Sequence, residues 1–182
     1  MALHVALLRG INVGGRNRVP MKELIAAMES DGFSGVTTYL QTGNILFASD
    51  ETHDSVLARR LHELITEQFG TTTPVVMRTP KQLAQTASGH PFLNDENEPA
   101  KLHVMFLNRE ADPADVAQLD PDRSPGDRFI VHGRDIYLHY PNGAGRSKLT
   151  IDYFERRLGV TATARNWTTV LKLQALVDER TG

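Results

Sequence analysis

One order of elements occurs twice along this chain, and it constrains the fold more than any other feature. Leu3–Arg9 is a compact apolar run suited to a buried strand, and Pro20 after the loop Gly10–Val19 suits the first turn of a helix. Leu24, Ala27 and Met28 fall at helical spacing over Met21–Ser30, with Gly32 as a stop. Val36–Gln41 and Ile45–Ala48 then read as two strands around the turn Thr42-Gly43-Asn44. Val56, Leu57, Leu61, Leu64, Ile65 and Phe69 mark a long amphipathic helix, and Pro74–Arg78 a closing strand. The order is βαββαβ. It returns as strand Leu102–Asn108, helix Pro113–Leu119, strands Arg128–His132 and Ile136–Tyr140 about Gly133-Arg134-Asp135, helix Lys148–Leu158 and strand Val160–Thr163. We therefore expect an α+β fold of two tandem ferredoxin-like units, each an antiparallel sheet with its helices on one face, followed by a helix from Trp167 to Asp178. The expected boundaries are 1–79, a connector at 80–100 with a short helix and a Pro-, Asn- and acid-rich stretch, and 101–182. A single mixed sheet is the alternative architecture.

Composition narrows the setting. With 182 residues, 40% of them hydrophobic, the chain has enough apolar side chains for one good core or two small ones. A net charge of −2 gives no overall polybasic signature, so any anion site must be local. The absence of cysteine removes disulfides, thiolate catalysis and Cys-ligated zinc, and a reducing compartment, the cytoplasm, is the simplest setting. The apolar N-terminal run is too short for a signal or a membrane span and reads as the first strand; no later window spans a bilayer.

Charge is sorted within the loops. In the strand order 4-1-3-2, strands one and three of a unit are antiparallel neighbours, which sets Arg9 and the Gly10–Arg18 loop beside Gln41 and Thr42-Gly43-Asn44. In the second half, the loop after strand three, Pro141–Lys148, and the exit from strand four, Arg165-Asn166-Trp167, are expected together on the opposite edge. Arg9, Arg16, Arg18, Arg146, Lys148, Arg165 and Lys172 are the cations of these segments, and no acid interrupts them. Glycines let backbone N–H groups turn toward an anion, and helix N-termini at Ser147-Lys148 and Asn166-Trp167 add unpaired donors. The candidate anion-binding residues are Arg9, Asn12, Gly14, Gly15, Gln41 and Asn44 in the first half and Arg146, Ser147, Lys148, Arg165 and Asn166 in the second. Arg9, Asn12, Asn44, Arg146, Lys148 and Arg165 are expected to line one cleft between the units. The competing reading makes Gly14-Gly15 and Asn142-Gly143 ordinary turns and Ser147 and Asn166 ordinary helix caps. Neither glycine loop spells G-x-G-x-x-G, and Lys148 follows Ser147 where a P-loop has the reverse order, so standard nucleotide binding is not supported.

Other chemistry is less well marked. The seven histidines show no H-E-x-x-H or other metal spacing, and no metal or cofactor is expected. His103 and His139 are candidates to share the uncovered face of the second sheet with Met105 and Tyr137. There is no G-x-S-x-G, and Ser147 has no identifiable base, so no reaction is assigned. Trp167, the one Trp, reads as a packing anchor.

Four strings in order, Arg9-Gly-Ile-Asn-Val-Gly-Gly15, Tyr39-Leu-Gln-Thr-Gly-Asn-Ile45, Tyr140-Pro-Asn-Gly-Ala-Gly-Arg-Ser-Lys-Leu149 and Arg165-Asn-Trp-Thr-Thr-Val-Leu-Lys-Leu173, resemble the bacterial family catalogued as domain of unknown function 1697. The resemblance spans nearly the whole chain and implies a two-unit α+β fold and a cytoplasmic location, with no activity attached. Three functions follow from the residues: a binder of, or enzyme for, a small phosphorylated or carboxylated ligand; a nucleic-acid binder; or an interaction module without a ligand. Ile45-Leu-Phe-Ala48 lacks the aromatic-basic pattern of RNA-recognition sheets, which disfavours the second.

Overall fold

The computed structural model describes residues 1–182. Eight strands and six α-helices occur in the order β1 (Ala2–Leu8), α1 (Met21–Ser30), β2 (Ser34–Tyr39), β3 (Asn44–Ser49), α2 (Asp54–Phe69), β4 (Val75–Arg78), α3 (Pro80–Ala87), β5 (Leu102–Leu107), α4 (Pro113–Ala117), β6 (Arg128–His132), β7 (Asp135–His139), α5 (Ile151–Leu158), β8 (Ala162–Asn166) and α6 (Trp167–Thr181). They build two four-stranded sheets, ordered β2-β3-β1-β4 and β6-β7-β5-β8, and every pairing is antiparallel. The fold is α+β with two separate antiparallel sheets, and the single mixed sheet is excluded.

The chain divides into two compact units, 1–83 with 179–182, and 84–178. The last four residues fall in the first unit because the Arg180 guanidinium donates to the Gly35 carbonyl at 2.8 Å and to Thr37 Oγ1 at 2.7 Å. In the first unit, Ala6, Leu8, Ile45, Phe47, Val75 and Met77 of the sheet pack against Leu24 and Met28 of α1 and Leu57, Leu61 and Ile65 of α2. In the second, Met105, Leu107, Ile136, Leu138 and Ala162 pack against Tyr153, Phe154 and Leu158 of α5. At roughly 1.5–3 kcal/mol per buried large apolar side chain, these two layers dominate the stabilisation of their units.

The opposite sheet faces are buried too, as Val5, Leu7, Leu46 and Val76 show in one unit and Val104, Phe106, Tyr137 and Thr163 in the other. This corrects the expectation of an uncovered face. The second sheet is covered within its own unit by the segment after α3: His90 lies edge-on to Tyr137 and Trp167, each at 5.2 Å, and Phe92 lies 6.0 Å from His139. Register also separates two residues expected together. His103 stands opposite Leu138 and meets the Tyr140 ring at 5.1 Å, on the face of Met105, whereas Tyr137 and His139 face the other way.

Each unit buries one arginine at the same place. Arg78 pairs in register with Val5, Arg165 with Val104, and each Nη1 donates at 2.8 Å to the carbonyl of the preceding residue, Met77 or Ala164. Arg78 is 1% and Arg165 8% exposed.

Candidate functional site

In the first unit the loop between β1 and α1 lies against the β2–β3 hairpin, as the strand order requires. The Leu8 N–H donates to the Gly43 carbonyl at 2.8 Å. Contact is so close that a Cβ at Gly43 would stand 2.7 Å from Leu8 Cβ, and its φ of +83° also favours glycine. Asn12 holds the two loops together, since its amide donates to Val19 O and Gln41 O at 2.9 and 2.6 Å and its Oδ1 accepts from the Val19 N–H at 2.9 Å. Asn44, fully buried, donates from its amide to Tyr39 O and Thr42 Oγ1. Both side chains, expected as ligand contacts, hold these loops together. Gly14 and Gly15 sit exposed at the tip of a small hairpin closed by Arg16 N–H to Val13 O at 3.0 Å. Arg16, Arg18 and Gln41 are exposed around it, while Arg9 is half-buried with its backbone tied to Thr73 and Pro74.

The second unit's candidates separate into exposed residues and residues held by the fold. Arg146 and Lys148 are exposed. Ser147 Oγ accepts from the Leu149 N–H at 3.0 Å and so closes a turn; the cap of α5 is Thr150, whose hydroxyl accepts from the Tyr153 N–H. The helix therefore begins at Ile151, not Lys148, and the helix N-terminus expected at Ser147-Lys148 is displaced by three residues. Asn166 caps α6 by accepting from the Thr169 N–H at 2.9 Å. Arg165 is a buried arginine, with Nη1 donating to Thr163 Oγ1 and Ala164 O at 2.8 Å. Burial pushes its pKa down to about 10, which leaves it charged at neutral pH.

A polar network on the covered face of the second sheet runs from a largely buried pair, His139 and Glu96, out to the exposed Arg128 and Asp95. Arg128 Nη2 donates to His139 Nδ1 at 3.1 Å, so the ring proton sits on Nε2, which donates to Glu96 at 3.0 Å. That hydrogen bond holds the Glu96 carboxyl below its usual range. Arg128 also pairs with Asp95 at 3.0 Å and stacks 4.5 Å above Phe92. The network clamps the 90–98 segment to the sheet. No three His, Asp or Glu side chains stand close enough together to share a metal ion, and no helix is long and apolar enough to cross a membrane.

Two features escaped the sequence reading. The non-glycine residues with left-handed backbone are Asn12, Asn17 and Leu40, and all three lie in the first unit's two loops. Leu40, at φ +61° and 50% exposed, is the unusual one, and its place before Gln41-Thr42-Gly43 in a hairpin turn was the available signal. Arg123 was hidden among the acids of Asp120-Pro-Asp-Arg-Ser-Pro-Gly-Asp127, yet its side chain lies over the Tyr153 ring.

Comparison with known proteins agrees with this fold. A solved structure described as the conserved bacterial protein SP0830 from Streptococcus pneumoniae superposes with a TM-score of 0.69 at 19% identity, over 96% of this chain and 98% of that one. Among proteins of curated function, none matches the sequence. The family described as protein of unknown function (DUF1697) matches residues 1–137, three quarters of the chain, and the protein belongs to that family.

Proposed function

We propose that the protein binds a small anionic metabolite, phosphorylated or carboxylated, at the joined loops 9–18 and 40–43 of the first unit. The strand order β2-β3-β1-β4 supports reading that unit, and β6-β7-β5-β8 the other, as ferredoxin-like, a frame that presents such loops at one sheet edge. The carrying observation is Leu40. A leucine in the left-handed region costs on the order of 1–2 kcal/mol that glycine would not, and half of its side chain stays in solvent. Folding gains little from that side chain; a ligand contact accounts for it. Arg16, Arg18 and Gln41 supply charge and hydrogen bonds beside it, and Val13, 60% exposed, a second apolar surface.

The test is a thermal-shift screen of phosphorylated and carboxylated metabolites, repeated on Leu40→Gly and Arg18→Ala. Leu40→Gly is expected to raise the unliganded melting temperature, by relief of about 1 kcal/mol of strain, while weakening the ligand-induced rise. A hit whose shift is unchanged in both variants, or a Leu40→Gly protein less stable than wild type, contradicts the reading. The exposed Val13 and Leu40 also favour an interaction module, which the same screen identifies by yielding no hit at all.

A further inference from the structure

We propose that the cleft between α5 and the segment following α4 is a phosphate-binding site for a small phosphorylated molecule, separate from the loops of the first unit and independent of the reading given to them. The cleft, of about 390 Å³, is lined by Arg123, Thr150, Asp152, Tyr153, Arg156 and Arg157. Three guanidinium groups thus share one concavity with a single carboxylate, and no ion pair forms between Asp152 and any of them.

The arginines are arranged rather than crowded. Arg123 stacks 4.1 Å above the Tyr153 ring and donates through Nε to the Lys148 carbonyl at 3.0 Å, which fixes the plane of the guanidinium and leaves both terminal amino groups without a protein partner. Arg157 approaches the same ring at 5.9 Å. Tyr153 is itself held, buried, with its hydroxyl accepting from the Asp120 N–H at 3.0 Å. The guanidinium groups of Arg156 and Arg157 make no hydrogen bond or ion pair. Bringing like charges into one recess costs energy when the recess is empty, and an anion reverses the sign of that interaction. Guanidinium groups present paired N–H donors that match two oxygens of a phosphate, so three of them suit a phosphate monoester or a diphosphate better than a single carboxylate. The volume fits a small molecule. A nucleic-acid backbone offers the same phosphate chemistry from another source, and the test separates the two.

Isothermal titration at low ionic strength with pyrophosphate, inorganic phosphate and a single-stranded oligonucleotide is the experiment, on wild type, Arg156→Gln/Arg157→Gln, Arg123→Gln and Arg60→Gln. Expected are pyrophosphate binding tighter than phosphate, at least a tenfold loss in the double variant, a smaller loss in Arg123→Gln, and no change in Arg60→Gln, whose arginine lies in the other unit. Circular dichroism checks that each variant is folded, and Arg123→Gln carries the test if the double variant is not. Unchanged pyrophosphate affinity in Arg156→Gln/Arg157→Gln or in Arg123→Gln overturns the proposal. So does an oligonucleotide that binds with a steep salt dependence and is not displaced by pyrophosphate.

Discussion

Each unit has a cleft beside its sheet-packed helices, and the two clefts carry opposite charge. In the first unit, the end of α1 and the outer face of α2 surround Arg60 with Asp31, Glu63 and Glu67. Arg60 is used up there: it donates at 2.7 Å both to the Asp31 carboxylate and to the Asp31 carbonyl, and it stacks 4.3 Å above Phe33. In the second unit the topologically equivalent cleft holds three arginines against Asp152. An arginine lies on an aromatic ring in both, Arg60 of α2 on Phe33 and Arg123 on Tyr153 of α5, with the helix supplying the cation in the first unit and the ring in the second. What differs is what remains. The first unit neutralises its cation with its own carboxylate, and the second leaves three cations with none bound to them. A shared scaffold with an unshared charge is where binding is to be sought, since packing alone gives no reason for the difference.

In the interior the units are alike in one respect, since each buries a histidine ring nitrogen without a hydrogen-bond partner, in His4 and in His103. His4 of the first unit is 2% exposed, stacked 5.5 Å from Phe47, and neither ring nitrogen has a hydrogen-bond partner. The second unit's buried His90 and His139 are both bonded, His90 Nε2 to the His103 carbonyl at 3.0 Å.

The largest expected effect marks the far end of the comparison, a cation given over wholly to the fold. Arg165→Ala should destabilise the protein by about 3 kcal/mol in urea unfolding, because it leaves Thr163 and buried carbonyls without their donor and opens a cavity. A loss below about 0.5 kcal/mol would place Arg165 among the arginines free to bind and blur the distinction.

His4→Leu comes next and should stabilise by about 1 kcal/mol, since it removes two unsatisfied buried nitrogens at similar volume. Burial lowers the pKa of His4, partly offset by the Asp54 charge, and likewise lowers those of His90 and His103. The folded state then binds fewer protons than the unfolded chain. Stability is therefore full above pH 6.5, the ordinary histidine value, and falls as pH drops from there toward the folded values. Unfolding measured from about pH 8 to about pH 5 should show this decline, with a shallower slope in His4→Leu; an equal slope would mean that His4 has a partner in solution.

The smallest effects compare the clefts directly. Arg60→Ala should cost about 1 kcal/mol, for a half-exposed ion pair and a ring contact, whereas Arg156→Ala should change stability by less than about 0.5 kcal/mol. Equal costs would mean that Arg156 serves the fold to the same degree that Arg60 does.

The fold was largely legible because period-two and period-3.6 apolar patterns are written in local sequence, and the strand order follows from connecting βαββαβ without crossings. The repeat itself is nearly invisible in identity, yet Arg78 and Arg165 occupy one register position and make one backbone contact. The site was less legible for a physical reason. Asn12, Asn44, Ser147 and Asn166 are residue types that serve equally as ligand contacts or as turn and cap partners, and here they hold loops and helix ends. Arg165 read as a loop cation because β8 runs to Asn166, beyond its apolar start. Arg156 and Arg157 carry no signal in the sequence, since only the fold brings Arg123 over Tyr153 to join them.

The most direct test of the contrast between the clefts is a pyrophosphate titration followed by backbone amide NMR. Saturable shifts are expected at Arg123 and the stretch Thr150–Arg157 alone, with Ala27–Asp31 and Arg60–Gln68 unmoved. Shifts of similar size and midpoint in both clefts, or none at Arg156 and Arg157, would contradict it.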